Sequence, residues 1–156
     1  EVRKLPAVQL AVAPQRGSYM KIGRAFETAW RELCAAGLAA PASRWMAIYY
    51  DDPLAVPTAQ LFAQAGLSVA ADASLPPLLA PAQVGGCTCA VLRFRGPYAG
   101  MRAAYEWLFG TWLVQSGLPA GDQPVFEEYL NHPSQVAPCD LLTDICLPLA
   151  ESAQAM

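Results

Sequence analysis

The chain has 156 residues, 54% of them hydrophobic and only 15% charged, so it can bury a sizeable core and disorder is excluded. A net charge of −3 with scattered Lys and Arg argues against a nucleic-acid surface, because phosphate binding needs clustered cations. Five cysteines without a C-x-x-C pair, and a single histidine, do not compose a metal site; reduced, buried thiols in a cytoplasmic protein are expected. No run reaches the ~18 apolar residues of a membrane span. The opening LPAVQLAVAP, bracketed by prolines, reads as a strand and not as a signal peptide. A first residue of glutamate leads us to expect that upstream residues have been removed.

In chain order, residues 7–13 read as an apolar strand and Gly17 as a tight turn. Ser18 suits a helix cap, and Ile22, Phe26, Ala29 and Leu33 recur at helical spacing. Strands are predicted near residues 44–50 and 67–71. The segment DASLPPLLAPAQVGG, rich in proline and glycine, reads as a connection over about 73–86. The order then starts again. Residues 87–94 form a strand, Gly96 a turn, and Pro97 stands where a first helical residue is welcome. Met101, Tyr105, Leu108 and Trp112 keep helical spacing until Gly117 stops them. Strands near 125–130 and 141–147 follow, then a short carboxyl-terminal tail.

This recurrence is a true repeat. RGSYMKIGRAFETAW from Arg16 matches RGPYAGMRAAYEWLF from Arg95 at an offset of 79. WMAIYYDDP from Trp45 matches VFEEYLNHP from Val125 at an offset of 80, as does Gly37-Leu38 against Gly117-Leu118. One inserted residue inside the second helix reconciles the two. The fold class that follows is α+β. It has two tandem β-α-β-β modules, about 5–72 and 87–149, with antiparallel sheets and a pseudo-two-fold, whose open faces are expected either to pack on each other or to leave a groove between the modules.

The twice-used RG-x-Y turn, FE-x-YLN at Phe126 to Asn131, and the closing TDI-x-LPL from Thr143 resemble the GyrI-like effector-binding domain, built of tandem SHS2 modules. Such domains stand at the carboxyl end of AraC-type regulators and alone in the SbmC/GyrI gyrase inhibitor. The resemblance spans residues 2–149 and implies a hydrophobic groove with a glutamate at its floor. The motif puts that glutamate at Glu127. The sequence departs from the family's pattern at Phe62, Gln64, Phe94 and His132.

Strand alternation sends Glu127 and Glu128 to opposite faces, and the repeat sets Glu127 against Ala47. A position that is small in one module and acidic in the other suggests an inward site given a special task once. The candidate ligand-binding residues are therefore Glu127, Tyr129, Trp45, Tyr49 and Ala47, with Trp112 and Tyr105 equally suited to plain core. Tyr19 and Tyr98 read as structural, Glu128 as solvated, Arg93 and Arg95 as a solvated strand face, and His132 as a surface residue. The expected ligand is a lipophilic effector, plausibly cationic, sensed for an AraC-type bacterial regulator. DNA would be reached only through a separate amino-terminal helix-turn-helix domain, and homodimerisation stays open. Hydrolysis of cyclopropane-bearing electrophiles and gyrase inhibition are the alternatives. Without G-x-S-x-G, HExxH or a glycine-rich phosphate loop, neither a nucleophile nor a cofactor is expected.

Overall fold

The computed structural model describes residues 1–150; the expected carboxyl-terminal tail at 151–156 lies outside them. Eight strands and the helical segments follow in the order β1 (Val2–Leu5), β2 (Val8–Arg16), α1 (Gly23–Ala35), β3 (Trp45–Tyr49), β4 (Phe62–Ser68), β5 (Ala80–Val84), β6 (Cys87–Arg95), α2 (Met101–Trp107), α3 (Leu113–Ser116), β7 (Val125–Tyr129) and β8 (Leu142–Pro148). The protein is α+β, and its strand pairs are antiparallel. The chain forms two compact units. The first is Ala7–Val84; the second joins Glu1–Pro6 to the chain from Gly85 onward.

In the first unit the strands run β3-β4-β2-β5, and in the second β1-β6-β8-β7. Three strands differ from the sequence expectation. Val2–Leu5 is a strand of its own, paired with β6. Ala80–Val84, expected within a connection, pairs with β2. The strand expected near 67–71 runs instead over Phe62–Ser68. Alanine and glycine at Ala63, Ala65 and Gly66 hide that strand from any pattern of large apolar residues. They are small because space is short: a side chain on Gly66 would meet the Ala11 carbonyl oxygen at 1.8 Å. The repeat carried the missing signal, since β8 lies 80 residues after β4 and the end of β5 lies 79 after that of β1.

Helix α1 buries Ala25, Ala29 and Leu33, one face at a spacing of four, against β2 and β4. Ser18 does cap, but for a short 3₁₀ turn at Tyr19–Lys21, where its hydroxyl accepts from the Met20 amide. The second unit's core is Ala90, Met101, Leu108, Ile145, Leu147 and Leu149, with Tyr105, Trp112, Leu113 and Val125 packed on it.

The second helix is not regular. Leu108–Trp112 forms a π-helical turn between α2 and α3. This is where the repeat demands its extra residue, since Trp30 matches Phe109 at 79 and Gly37 matches Gly117 at 80. A widened turn absorbs one residue without throwing the two ends of a helix out of phase. Tyr105 before it and Leu113 after it therefore both face the same core.

The cysteines divide. Cys87, Cys89 and Cys146 are buried thiols, whereas Cys34 and Cys139 are exposed, contrary to the expectation that all are buried. Burial pushes the Cys146 thiol up to about 12. Arg93 and Arg95 are not merely solvated either. Arg93 meets the buried Asp144 through two bonds of 2.9 and 3.1 Å, and Arg95 reaches Asp140 at 2.5 Å.

Candidate functional site

Strand β7 is short and alternates as a strand must. Val125, Glu127 and Tyr129 take one face, and Phe126 and Glu128 the other. Pairing with β8 sets Glu127 opposite Ile145 and Tyr129 opposite Thr143. Ile145 belongs to the core under the helix, so the Glu127 side is the helix-covered side. Glu127 is the glutamate that turns in, with 4% of its surface exposed, while Glu128 is half-buried on the opposite face.

Two phenols meet the buried carboxylate. Tyr129 donates from the same strand face to Oε1 at 2.7 Å, and Tyr105 donates from α2 to Oε2. Burial raises the Glu127 pKa above the ordinary carboxyl range, and the two tyrosine hydrogen bonds pull it part of the way back. Among the described residues no salt bridge reaches it. A charge here is thus stabilised by dipoles alone, in surroundings where a cation would be worth far more.

Aromatic rings surround this pair of hydroxyls. Phe109 stacks on Tyr105 with centroids 6.2 Å apart, and Tyr98 meets Tyr129 edge to face at 5.6 Å. Tyr98 and Phe109 are 37% and 39% exposed, so these two rings also face outward. Glu127 and burial together raise the Tyr98 pKa, burial being the larger cause.

The sequence candidates fall into two groups. Glu127, Tyr129 and Tyr105 come together around one carboxylate. Trp112 packs on the second unit's core. Trp45, Ala47 and Tyr49 share one face of β3 in the first unit. There Trp45 packs on Phe26 and stacks on Trp30 at 5.4 Å, Tyr49 meets Tyr19 edge to face at 4.8 Å, and Ala47 is fully buried. Sequence reasoning missed Phe109 and set Tyr98 aside as structural. It also passed over Thr143, a buried hydroxyl beside Tyr129 whose counterpart in the repeat is Ala63. His132 is exposed, as expected, with its ring Nδ1 2.7 Å from Ser134 Oγ.

The chain belongs to a family of ligand-binding domains. Residues 1–150 match the GyrI-like small molecule binding domain, which is therefore its family. A DNA gyrase inhibitor of Enterobacter lignolyticus (strain SCF1) is 30% identical over 118 residues, covering 74% of this chain and 73% of the relative. Among solved structures, the EcmrR C-terminal domain superposes with a TM-score of 0.82 over 97% of both chains at 15% identity. In an EcmrR–DNA complex the chain spans 57% of the regulator's length, with a TM-score of 0.81 and 14% identity over 97% of this chain. SAV2435 bound to tetraphenylphosphonium (TM-score 0.62, 12% identity, 97% and 93% covered) and a hydrolase from Listeria innocua (0.64, 12%, 96% and 91%) share the fold. Among the described residues no helix is long and apolar enough to cross a membrane.

Proposed function

We propose that the chain is the effector-sensing domain of a bacterial transcriptional regulator of the AraC type, and that its effector is a lipophilic cation held against Glu127. The observation that carries this reading is a carboxylate 4% exposed, answered by two tyrosine hydroxyls and by no cation among the described residues. A flat organic cation answers what that arrangement leaves open. It pairs its charge with Glu127 and lays apolar surface on the rings of Tyr98, Tyr105, Phe109 and Tyr129. Desolvated aromatic faces add ~0.5–2 kcal/mol each. The tetraphenylphosphonium held by SAV2435 is likewise a lipophilic aromatic cation, tetrahedral and not flat, and the EcmrR C-terminal domain gives a regulator precedent for the fold.

Sensing needs one more property, a different affinity for two conformations of the regulator. The π turn beside Tyr105 supports a functional site here, because such turns inside α-helices are frequent at functional sites. Titration of tetraphenylphosphonium against intrinsic tryptophan fluorescence tests the site in the parent and in Glu127→Gln. We expect the substitution to cost ~2–5 kcal/mol of affinity. Binding should weaken as pH falls through the raised Glu127 pKa, since the protonated carboxyl offers no charge. Equal affinity in both proteins, with no pH dependence, sinks the ionic reading.

A second reading is gyrase inhibition, favoured by the 30% identical gyrase inhibitor. It predicts that the isolated chain lowers DNA supercoiling by gyrase whether or not Glu127 is intact. The sensor reading predicts no such effect.

A further inference from the structure

Thr143 is wholly buried, and its hydroxyl has no hydrogen-bond partner among the described residues. An unanswered buried hydroxyl is a cost that folding alone gives no reason to carry, and the repeat shows how simply it is avoided: the first unit has Ala63 there. Thr143 sits on the Glu127 face of the sheet, one row along. Its cross-strand neighbours are Tyr129 on β7 and Phe94 on β6. The two positions at which this face turns from alanine to polar, Ala47 to Glu127 and Ala63 to Thr143, are thus adjacent.

The 3₁₀ turn that carries Tyr98 lies beside both residues that flank Thr143. The Tyr98 ring meets Tyr129 edge to face, and Gly100, at the end of the turn, lies against the Phe94 ring. In the first unit the equivalent Tyr19 is locked down. Its hydroxyl accepts from the Asp51 amide at 3.0 Å and stands 2.9 and 3.0 Å from the Asp51 and Phe62 carbonyls. The Tyr98 hydroxyl makes none of the matching bonds. Asn131, which replaces Asp51, accepts from the Leu142 amide as the Asp51 carboxylate accepts from the Phe62 amide, and also donates to the Asp140 carbonyl. Where one ring is anchored, the other is released.

We propose that Thr143 is a second, uncharged contact for the ligand of the Glu127 site, uncovered when the Tyr98 ring swings aside. It selects cations that carry a carbonyl or ether oxygen about 7 Å from the charge, the distance between rows two residues apart on a strand. The Thr143 hydroxyl donates to that oxygen while Glu127 holds the charge. This inference rests on the cation reading and adds to it the chemistry of the ligand's other end.

Two matched probes test it: (4-benzoylbenzyl)trimethylammonium, with a ketone oxygen at about this reach, and its methylene analogue, (4-benzylbenzyl)trimethylammonium, with none. The parent is expected to bind the ketone about tenfold tighter, the range of one good hydrogen bond. Thr143→Val should reduce the ketone to the affinity of the methylene compound, leave the latter unchanged, and melt at or above the parent. Thr143→Ser, which keeps the hydroxyl, should retain most of the preference. If the parent binds both probes equally and Glu127→Gln weakens both, the Thr143 contact is overturned and the cation reading stands. If neither probe binds, or Glu127→Gln changes neither, both ideas fall together. A marked drop in the melting temperature of Thr143→Val would show a structural partner for the hydroxyl and overturn the proposal as well.

Discussion

The two units use one plan and put it to different ends. Each sets a tyrosine from its RG-x-Y turn edge to face against a tyrosine on the following strand, Tyr19 on Tyr49 and Tyr98 on Tyr129. Each faces its helix with aromatic residues one turn apart, Phe26 and Trp30 in one, Tyr105 and Phe109 in the other. In the first unit the surface between them is closed with Ala47 and rings that pack on one another. In the second, Ala47 becomes Glu127, and Phe26 becomes Tyr105, whose hydroxyl joins that of Tyr129 on the carboxylate. The carboxylate and its donor changed together. That pairing teaches that a buried charge was built in, because a chance acid on this face would lack a donor on the facing helix.

The comparison breaks most severely if the first unit is made to copy the second. Ala47→Glu buries a carboxylate opposite Phe26, with no hydroxyl on the helix, and should cost ~3–5 kcal/mol of unfolding free energy in urea. Adding Phe26→Tyr should recover about 1–2 kcal/mol, the net value of a hydrogen bond to a charged group. No recovery would mean that the two positions do not face each other as Glu127 and Tyr105 do.

A smaller effect separates the two turn tyrosines. Tyr19→Phe leaves the Asp51 amide without its acceptor and should cost about 1–2 kcal/mol. Tyr98→Phe loses no internal bond and should stay within about 0.5 kcal/mol of the parent. Equal losses would remove the contrast between an anchored and a released ring.

The smallest effect has the opposite sign. Folding raises the Glu127 pKa, so between the ordinary carboxyl range and the raised value the folded chain binds more protons than the unfolded one. Stability therefore falls as pH rises through that window. Glu127→Gln lacks this loss and should melt above the parent at a pH beyond the raised value. The gap should narrow as pH is lowered toward the ordinary carboxyl range. A variant less stable than the parent beyond the raised value would mean that the tyrosine hydrogen bonds outweigh burial.

Much of this was legible in advance, for particular reasons. Period-two alternation through VFEEYLNHP placed Glu127 and Glu128 on opposite faces; the family motif said which one turns in, and the match to Ala47 agreed. Helical spacing delivered Leu33 and Met101 to the cores. The failures are equally specific. Strand β4 was placed too late, near 67–71, because its first half carries Ala63, Ala65 and Gly66, small residues that leave no hydropathy signal, and at Gly66 the Ala11 carbonyl allows nothing larger. β1 and β5 were missed because each pairs with a strand whose identity depends on the whole sheet order. Tyr98 packs on Tyr129 as Tyr19 packs on Tyr49, but the hydrogen bonds expected of both tyrosines form only at Tyr19.

By itself, the chain's covalent order determined the class of fold and the duplication, which follow from local periodicity and likeness between segments, while the buried carboxylate was read from the motif shared with the GyrI-like family. Only the tertiary structure decided that Tyr105 and Tyr129 share Glu127, that the extra helical residue becomes a π turn, and that Thr143 is left without a partner. A hydrogen bond between residues 22 positions apart, or its absence, depends on side-chain directions that packing alone sets.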